Sequence, residues 1–207
     1  MYKVFFKDSI VFFTNDTQVK VRESEALYYK YNNAESLKAV LTTFYHQDTI
    51  KELYLINDDL KKMWSDFKTV FKLIKAGGGL VKNEKGEFLF IKRNGVWDLP
   101  KGKAEKKESI KDTAVREVKE ECGLKNLELK SHITTTYHTY FLKDKFILKK
   151  TKWYEMSSSS KEKLVPQLIE SITDVLWVNA DNISYLTGNT YGSIIEVLKS
   201  ENMLDSL

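Results

Sequence analysis

Residues 102–124 read GKAEKKESIKDTAVREVKEECGL. Apolar residues recur at Ile110, Ala114, Val115, Val118 and Cys122, which is the spacing of one helical face. At about 100° per residue they cover an arc of roughly 140°, the width of a core-facing stripe. Gly123 follows as a helix-ending residue. Three glutamates, Glu117, Glu120 and Glu121, occupy the last two turns, where a helix carries its partial negative charge and each carboxylate costs about 0.3–1 kcal/mol. Glu117 and Glu121 also repel each other at i,i+4 spacing, by roughly 0.2–0.5 kcal/mol. On the wheel both border the apolar stripe, while Glu120 and Arg116 fall one step further round. A solvated charged face explains most glutamate clusters. Carboxylates crowded beside a core instead want a cation, or one of them stays protonated. Magnesium prefers such oxygen donors and typically keeps several waters beside one or two carboxylates.

Outward from this helix, the chain reads as strands and loops. LIKAGGGLV, a turn at Asn83–Gly86 and GEFLFIKR form two paired strands, followed by the loop NGVWDLPKGK. Beyond the helix, 127–141 and 145–156 read as strands, Ser157–Ser160 as a mobile loop, DVLWV at 174–178 as a further strand, and 180–187 and 190–201 as helices. Upstream, YKVFF (2–6), IVFFT (10–14), VKV (19–21) and ELYLI (52–56) read as strands. AESLKAVLTTFYH (34–46) has helix spacing, and Asp58 or Asp59 caps a helix through Leu60, Met63, Trp64 and Phe67. The expected organisation is a small α/β domain over residues 1–70, of unassigned role, and a second domain over 71–207.

The balance of 42% hydrophobic and 30% charged residues is that of a globular protein. No apolar run approaches the roughly 20 residues of a membrane span, and the N-terminal stretch lacks the h-region of a signal peptide. One cysteine, Cys122, excludes an internal disulfide and fits a reducing compartment; the expectation is the cytoplasm. Residues 1–70 hold ten basic and ten acidic side chains, so the net charge of +4 lies wholly in 71–207, with 23 against 19. That excess is too small to demand a nucleic-acid partner and is compatible with a small polyanion.

Gly102, five residues, Glu108, seven residues, Arg116-Glu117-Val118, one residue, Glu120-Glu121, one residue, Gly123-Leu124 reproduces the Nudix box at every defined position. Ordinary residue usage would produce such a match in roughly one chain in ten million. The chain thus resembles the Nudix hydrolases, and the surrounding strand pattern extends the resemblance to about residues 72–200. The resemblance implies an α/β/α sandwich with a mixed sheet, preceded here by the small α/β domain. It also implies an Mg2+ (or Mn2+) enzyme cleaving a diphosphate linked to another moiety, often a nucleoside. Carried over, Glu117 and Glu121 are principal metal ligands and Glu120 a further or water-mediated one. Glu108 lies near the metal, the Gly102 carbonyl adds a ligand, and Arg116 holds the carboxylates through an ion pair. Metal ions bridging a diphosphate neutralise developing charge and lower the pKa of the attacking water. Family members differ in the base: here it is Glu170, before the DVLWV strand, or Glu120.

Lys101 and Lys103, in a loop bent by Gly95, Pro100 and Gly102, are candidates to reach phosphates, as is Arg93 just before it. The loop resembles that of the subgroup containing diadenosine tetraphosphate and diphosphoinositol polyphosphate hydrolases. KDKFILKKTK (143–152) has two readings: lysines guarding a sheet edge, or a strand whose Lys150 faces polyphosphate. Cys122 reads as a small apolar core residue. The partner expected is a small diphosphate-containing molecule, with no membrane and no nucleic acid; a homodimer stays open. The competing function is a Nudix-fold ligand sensor or binding module with residues 1–70 as its output; degenerate box residues would favour it, and this box has none.

Overall fold

The computed structural model describes residues 2–17, 25–143 and 145–204. In chain order the elements are β1 (Tyr2–Phe6), β2 (Ser9–Thr14), β3 (Ala26–Lys30), α1 (Ala34–His46), β4 (Glu52–Ile56) and α2 (Leu60–Thr69). There follow β5 (Lys72–Lys82), β6 (Phe88–Arg93), β7 (Val96–Asp98), β8 (Lys101–Lys103), α3 (Ile110–Cys122), β9 (Glu128–Leu142), β10 (Lys145–Ser157), β11 (Ile172–Val178), α4 (Ile183–Thr187) and α5 (Gly192–Ser200). The expected strand at 19–21 lies outside the described residues. Two compact units result, Met1–Ile74 with Tyr137–Lys149, and Lys75–Thr136 with Lys150–Leu207. A division at residues 70 and 71 remains a proposal about independent folding; by packing, the hairpin tip 137–149 belongs with the N-terminal segment.

In the first unit β1 and β2 pair antiparallel, and β4 lies parallel to both β2 and β3. The far end of β9 runs parallel to β1 through Phe5↔His138 and Phe6↔Thr139. Period-two alternation sends Val4, Val11, Phe13, Leu53 and Leu55 into one core with Leu37, Leu41 and Phe44 of α1, Met63 and Phe67 of α2, and Leu148 of the hairpin tip. Both helices start as polar caps dictate: Asn33 Oδ1 accepts from the Ser36 amide at 2.9 Å, and Asp59 Oδ1 from the Lys62 amide at 2.8 Å.

In the second unit the strand order is β11-β6-β5-β10-β9, with β7 on β6 and β8 on β5. Alternation again sorts the side chains. Leu89, Ile91, Val81 and Tyr154 pack with Ala114, Val118 and Cys122 of α3. Phe90, Leu80 and Trp153 pack with Ile183 of α4 and Ile194, Val197 and Leu198 of α5. Helices therefore cover both faces, giving an α/β/α sandwich with a mixed sheet. Gly77 permits the closest approach: a Cβ there would lie 2.5 Å from the Ile110 carbonyl oxygen and 2.8 Å from the Ala114 nitrogen, so α3 sits directly on β5.

Two sequence readings change. β10 lies between β5 and β9, so the lysines of 143–152 do not guard a sheet edge. Ser157–Ser160, read as mobile from composition, is tied down. Ser160 donates its amide and hydroxyl to Glu84 at 2.9 and 2.6 Å, and the Ser158 hydroxyl donates to the Asn126 carbonyl at 2.7 Å. Among the described residues no helix is long and apolar enough to cross a membrane.

Candidate functional site

Helix α3 begins at Ser109, whose hydroxyl accepts from the Asp112 amide at 3.2 Å, and ends at Gly123 with φ 74°. Its apolar stripe is fully buried at Ala114, Val118 and Cys122. This burial fixes the rotation of the helix and hence where its glutamates point. Glu121 is only 1% exposed; Glu117 is largely covered, while Glu120 remains about half exposed.

Arg116 organises three of the box carboxylates. Its Nε and Nη2 donate to Glu108 at 2.8 and 3.0 Å, and its Nη1 lies 2.9 Å from both Glu117 Oε1 and Glu120 Oε2. Nη2 also donates to the Lys103 carbonyl at 3.2 Å, fastening the loop to the helix. The guanidinium beside Glu108, helped by the Glu105 amide, holds that carboxyl down at about 2. Glu108, Glu117 and Glu120 in turn push the arginine upward, so it stays charged.

Glu117 rests on Gly102. A Cβ at position 102 would fall 1.9 Å from Glu117 Cδ and 2.0 Å from its Oε2, so any side chain there would displace the carboxylate. Gly102 is held opposite Gly77 by the β8–β5 pairing. Glu121 receives the Lys101 amide on Oε2 at 2.9 Å and Arg93 Nη1 on Oε1 at 3.3 Å. Burial nevertheless pushes the Glu121 carboxyl up to about 7, against the pull of Lys101 and Arg93 and with a smaller upward contribution from Asp98.

Arg93 also donates through Nη2 to Glu170 Oε2 at 2.5 Å. One guanidinium thus links Glu121 to Glu170, which is half exposed at the end of a single 3-10 turn, Leu168–Glu170. Lys103 is exposed. Lys101 is placed differently from a phosphate-seeking lysine: it is 7% exposed and its ammonium is bound to Asp98. To reach a phosphate it would have to leave that partner. Lys150, on β10, is half-buried in the second unit. Sequence reading missed Asp98, the buried counterion of Lys101, and the linking role of Arg93; only the D-x-x-K spacing of Asp98 and Lys101 hinted at the first.

Among the described residues no three histidine, cysteine, aspartate or glutamate side chains gather into a finished metal cage. The donor set still fits a hard divalent cation. It is all oxygen, it includes Glu117 and Glu121 one helical turn apart, and the bare Gly102 leaves room for the Glu117 carboxylate. Arg116 and Arg93 supply positive charge that partly offsets the crowding.

Residues 72–196, more than half of the 207-residue chain, match the family model of the NUDIX domain. Solved structures agree in fold. A MutT protein from Methanosarcina mazei Go1 is 23% identical with a TM-score of 0.51, covering 64% of this chain and 94% of that one. A C. elegans Ap4A hydrolase is 21% identical with a TM-score of 0.50, covering 62% and 95%. The chain belongs to the Nudix family.

Proposed function

We propose that this chain is a divalent-metal-dependent Nudix pyrophosphohydrolase that uses water to cleave the diphosphate linkage of a small molecule, typically a nucleoside diphosphate joined to another moiety. One observation carries the reading: Glu117 seated on Gly102 and Glu121 buried one turn later, with Arg116 gathering Glu108, Glu117 and Glu120. Glu117 and Glu121 would hold the metal, Mg2+ or Mn2+, with Glu120, Glu108 and the Gly102 carbonyl as further donors. A bound divalent ion supplies charge neutralisation on the diphosphate and lowers the pKa of a water.

The chain's own groups do the rest. Arg116 keeps Glu108, Glu117 and Glu120 oriented. Glu170, half exposed beside Arg93, is the base that takes the proton of the attacking water; Glu120 is the rival. Water adds to one phosphorus, the bridging P–O bond breaks, and the departing phosphate takes the electron pair. Arg93 and Lys103 contact phosphate oxygens, with Lys150 as a further contact, and Lys101 joins them only if it leaves Asp98. The buried, unpaired Cys122 suits a reducing compartment such as the cytoplasm.

The test is a turnover screen of nucleoside triphosphates, nucleotide sugars, inositol diphosphates and Ap4A, the last suggested by the name of the C. elegans structure. Each is assayed with Mg2+, with Mn2+ and with chelator. Hydrolysis that requires metal is expected for at least one class. Saturable binding with no metal-dependent turnover of any would overturn catalysis in favour of ligand sensing.

A further inference from the structure

An open groove of about 810 Å³ lies in the second unit, away from the box carboxylates. It contains Lys82, the last residue of β5. Gly77, which pairs with Gly102, lies five residues earlier on that strand, or roughly 16 Å at the rise of an extended chain. The groove therefore lies at the end of β5 and the carboxylate centre beside its middle, and none of Glu108, Glu117, Glu120 and Glu121 lines the groove.

Four lysines from separate segments line it: Lys82 on β5, Lys119 on α3, Lys125 in the following loop and Lys130 on β9. Lys82 rests its ammonium 5.5 Å from the Phe88 ring centroid. Neither it nor the other three is in an ion pair with a carboxylate among the described residues. The two lining carboxylates bond serines rather than the lysines. Glu84 accepts from the Ser160 amide and hydroxyl, and Glu128 accepts from the Ser157 hydroxyl at 3.0 Å. Those Ser160 bonds hold the Glu84 carboxyl at about 2, so it keeps its negative charge across the physiological range. Lysines scattered on a convex surface are ordinary solvated charge. Here four lysines against two carboxylates leave one concavity with a net positive charge, which walls of low dielectric focus.

None of the described lining residues is aromatic, so the groove offers no platform for stacking a base. Its volume is that of a small-molecule site. Recognition would come from charge and from compact, rotatable ammonium donors, the chemistry lysine brings to phosphate. We infer that this groove binds a small, multiply phosphorylated anion, such as a short polyphosphate or an inositol polyphosphate, at a site separate from the carboxylate centre.

The test is calorimetric titration of the full chain, in chelator and about 0.1 M salt, with tripolyphosphate and inositol hexakisphosphate as separate probes. Metal is left out so that the carboxylate centre repels rather than recruits the probe. Saturable one-to-one binding of at least one probe is expected, and which binds tighter distinguishes a phosphate chain from a phosphorylated ring. The triple variant Lys82→Gln, Lys125→Gln, Lys130→Gln should weaken binding about tenfold or more while leaving metal-dependent turnover unchanged. Arg93→Ala should leave binding of the probe within twofold. No saturation by either probe, unchanged affinity in the triple lysine variant, or equal loss in Arg93→Ala would each overturn the site. So would tighter binding of a single-stranded RNA oligonucleotide than of either probe, since that would make the groove a nucleic-acid backbone contact.

Discussion

The Glu117 carboxylate fills the space that a side chain at Gly102 would take, with Cδ only 1.9 Å from an ideal Cβ there. Gly102→Ala should therefore swing Glu117 aside while sparing the apolar face of α3, because the three atoms nearest the new methyl all belong to the Glu117 carboxylate. Turnover and metal affinity should fall roughly 10–100-fold, the usual scale for disturbing the support of a metal ligand. The melting temperature in chelator should shift little. Undiminished turnover in this variant would show that the glutamate is not held there for metal.

Glu121 makes a pH-dependent prediction. Its carboxyl is pushed up to about 7 from an ordinary 4.5, so the folded state favours the protonated form. That contribution to stability is complete below the unfolded value and is lost as pH rises through about 7. Glu121→Gln lacks this loss. In chelator the variant should gain a few degrees over the wild type at pH 8, and the advantage should shrink by pH 5. Turnover should nevertheless drop by about 10²-fold or more, since a charged ligand is gone.

Magnesium should raise the melting temperature of the wild type with concentration, because it binds the folded cluster and not the unfolded chain. The rise should largely disappear when Glu117 and Glu121 are both replaced by glutamine. An equal rise in the double variant would locate the cation elsewhere.

The two candidate bases differ in what they do to metal affinity. Glu170→Gln should lower kcat roughly 10²–10⁴-fold with the magnesium midpoint unchanged, since Glu170 bonds Arg93 and lies outside α3. Glu120→Gln should impair turnover and magnesium binding together if Glu120 is both base and ligand. Near-normal kcat in Glu170→Gln at saturating magnesium would move the base into the box.

Removing residues 1–70 should leave the hairpin tip 137–149 without its core, exposing Leu148, Phe146 and Tyr137. Fully exposing a side chain such as Leu148 costs about 1.5–3 kcal/mol. The truncated chain should aggregate, whereas a truncation that also shortens the hairpin to remove 138–148 should remain monomeric. Equal behaviour of the two, by size-exclusion chromatography, would mean the tip needs no support.

Local pattern revealed what local physics controls. The apolar repeat of Ile110, Ala114, Val118 and Cys122 located α3 and placed Glu117 and Glu121 at the border of its buried stripe, though not the full burial of Glu121. DVLWV and ELYLI announced β11 and β4 through short apolar runs. β3, residues 26–30, escaped because its partner β4 lies across an intervening helix, and no nearby turn marks the pairing. Arg93 binds partners 28 and 77 residues away, a convergence that only tertiary structure creates. Lys101 resembled any exposed loop lysine until Asp98 and burial gave it a different setting.

The split ownership of the β9–β10 hairpin also bears on the order of events during synthesis. Leu148 completes the core that begins with Val4 and Val11, so a nascent chain cannot finish its N-terminal unit when residue 74 leaves the ribosome. The Gly77 strand and the box helix emerge before that unit's last hydrophobic piece. Domains that are contiguous in sequence fold in turn as they appear. Here the earliest segment must wait for the fifteenth decade of the chain, and a ribosome-bound series of increasing length should show its protection from protease arriving only after residue 149 has emerged.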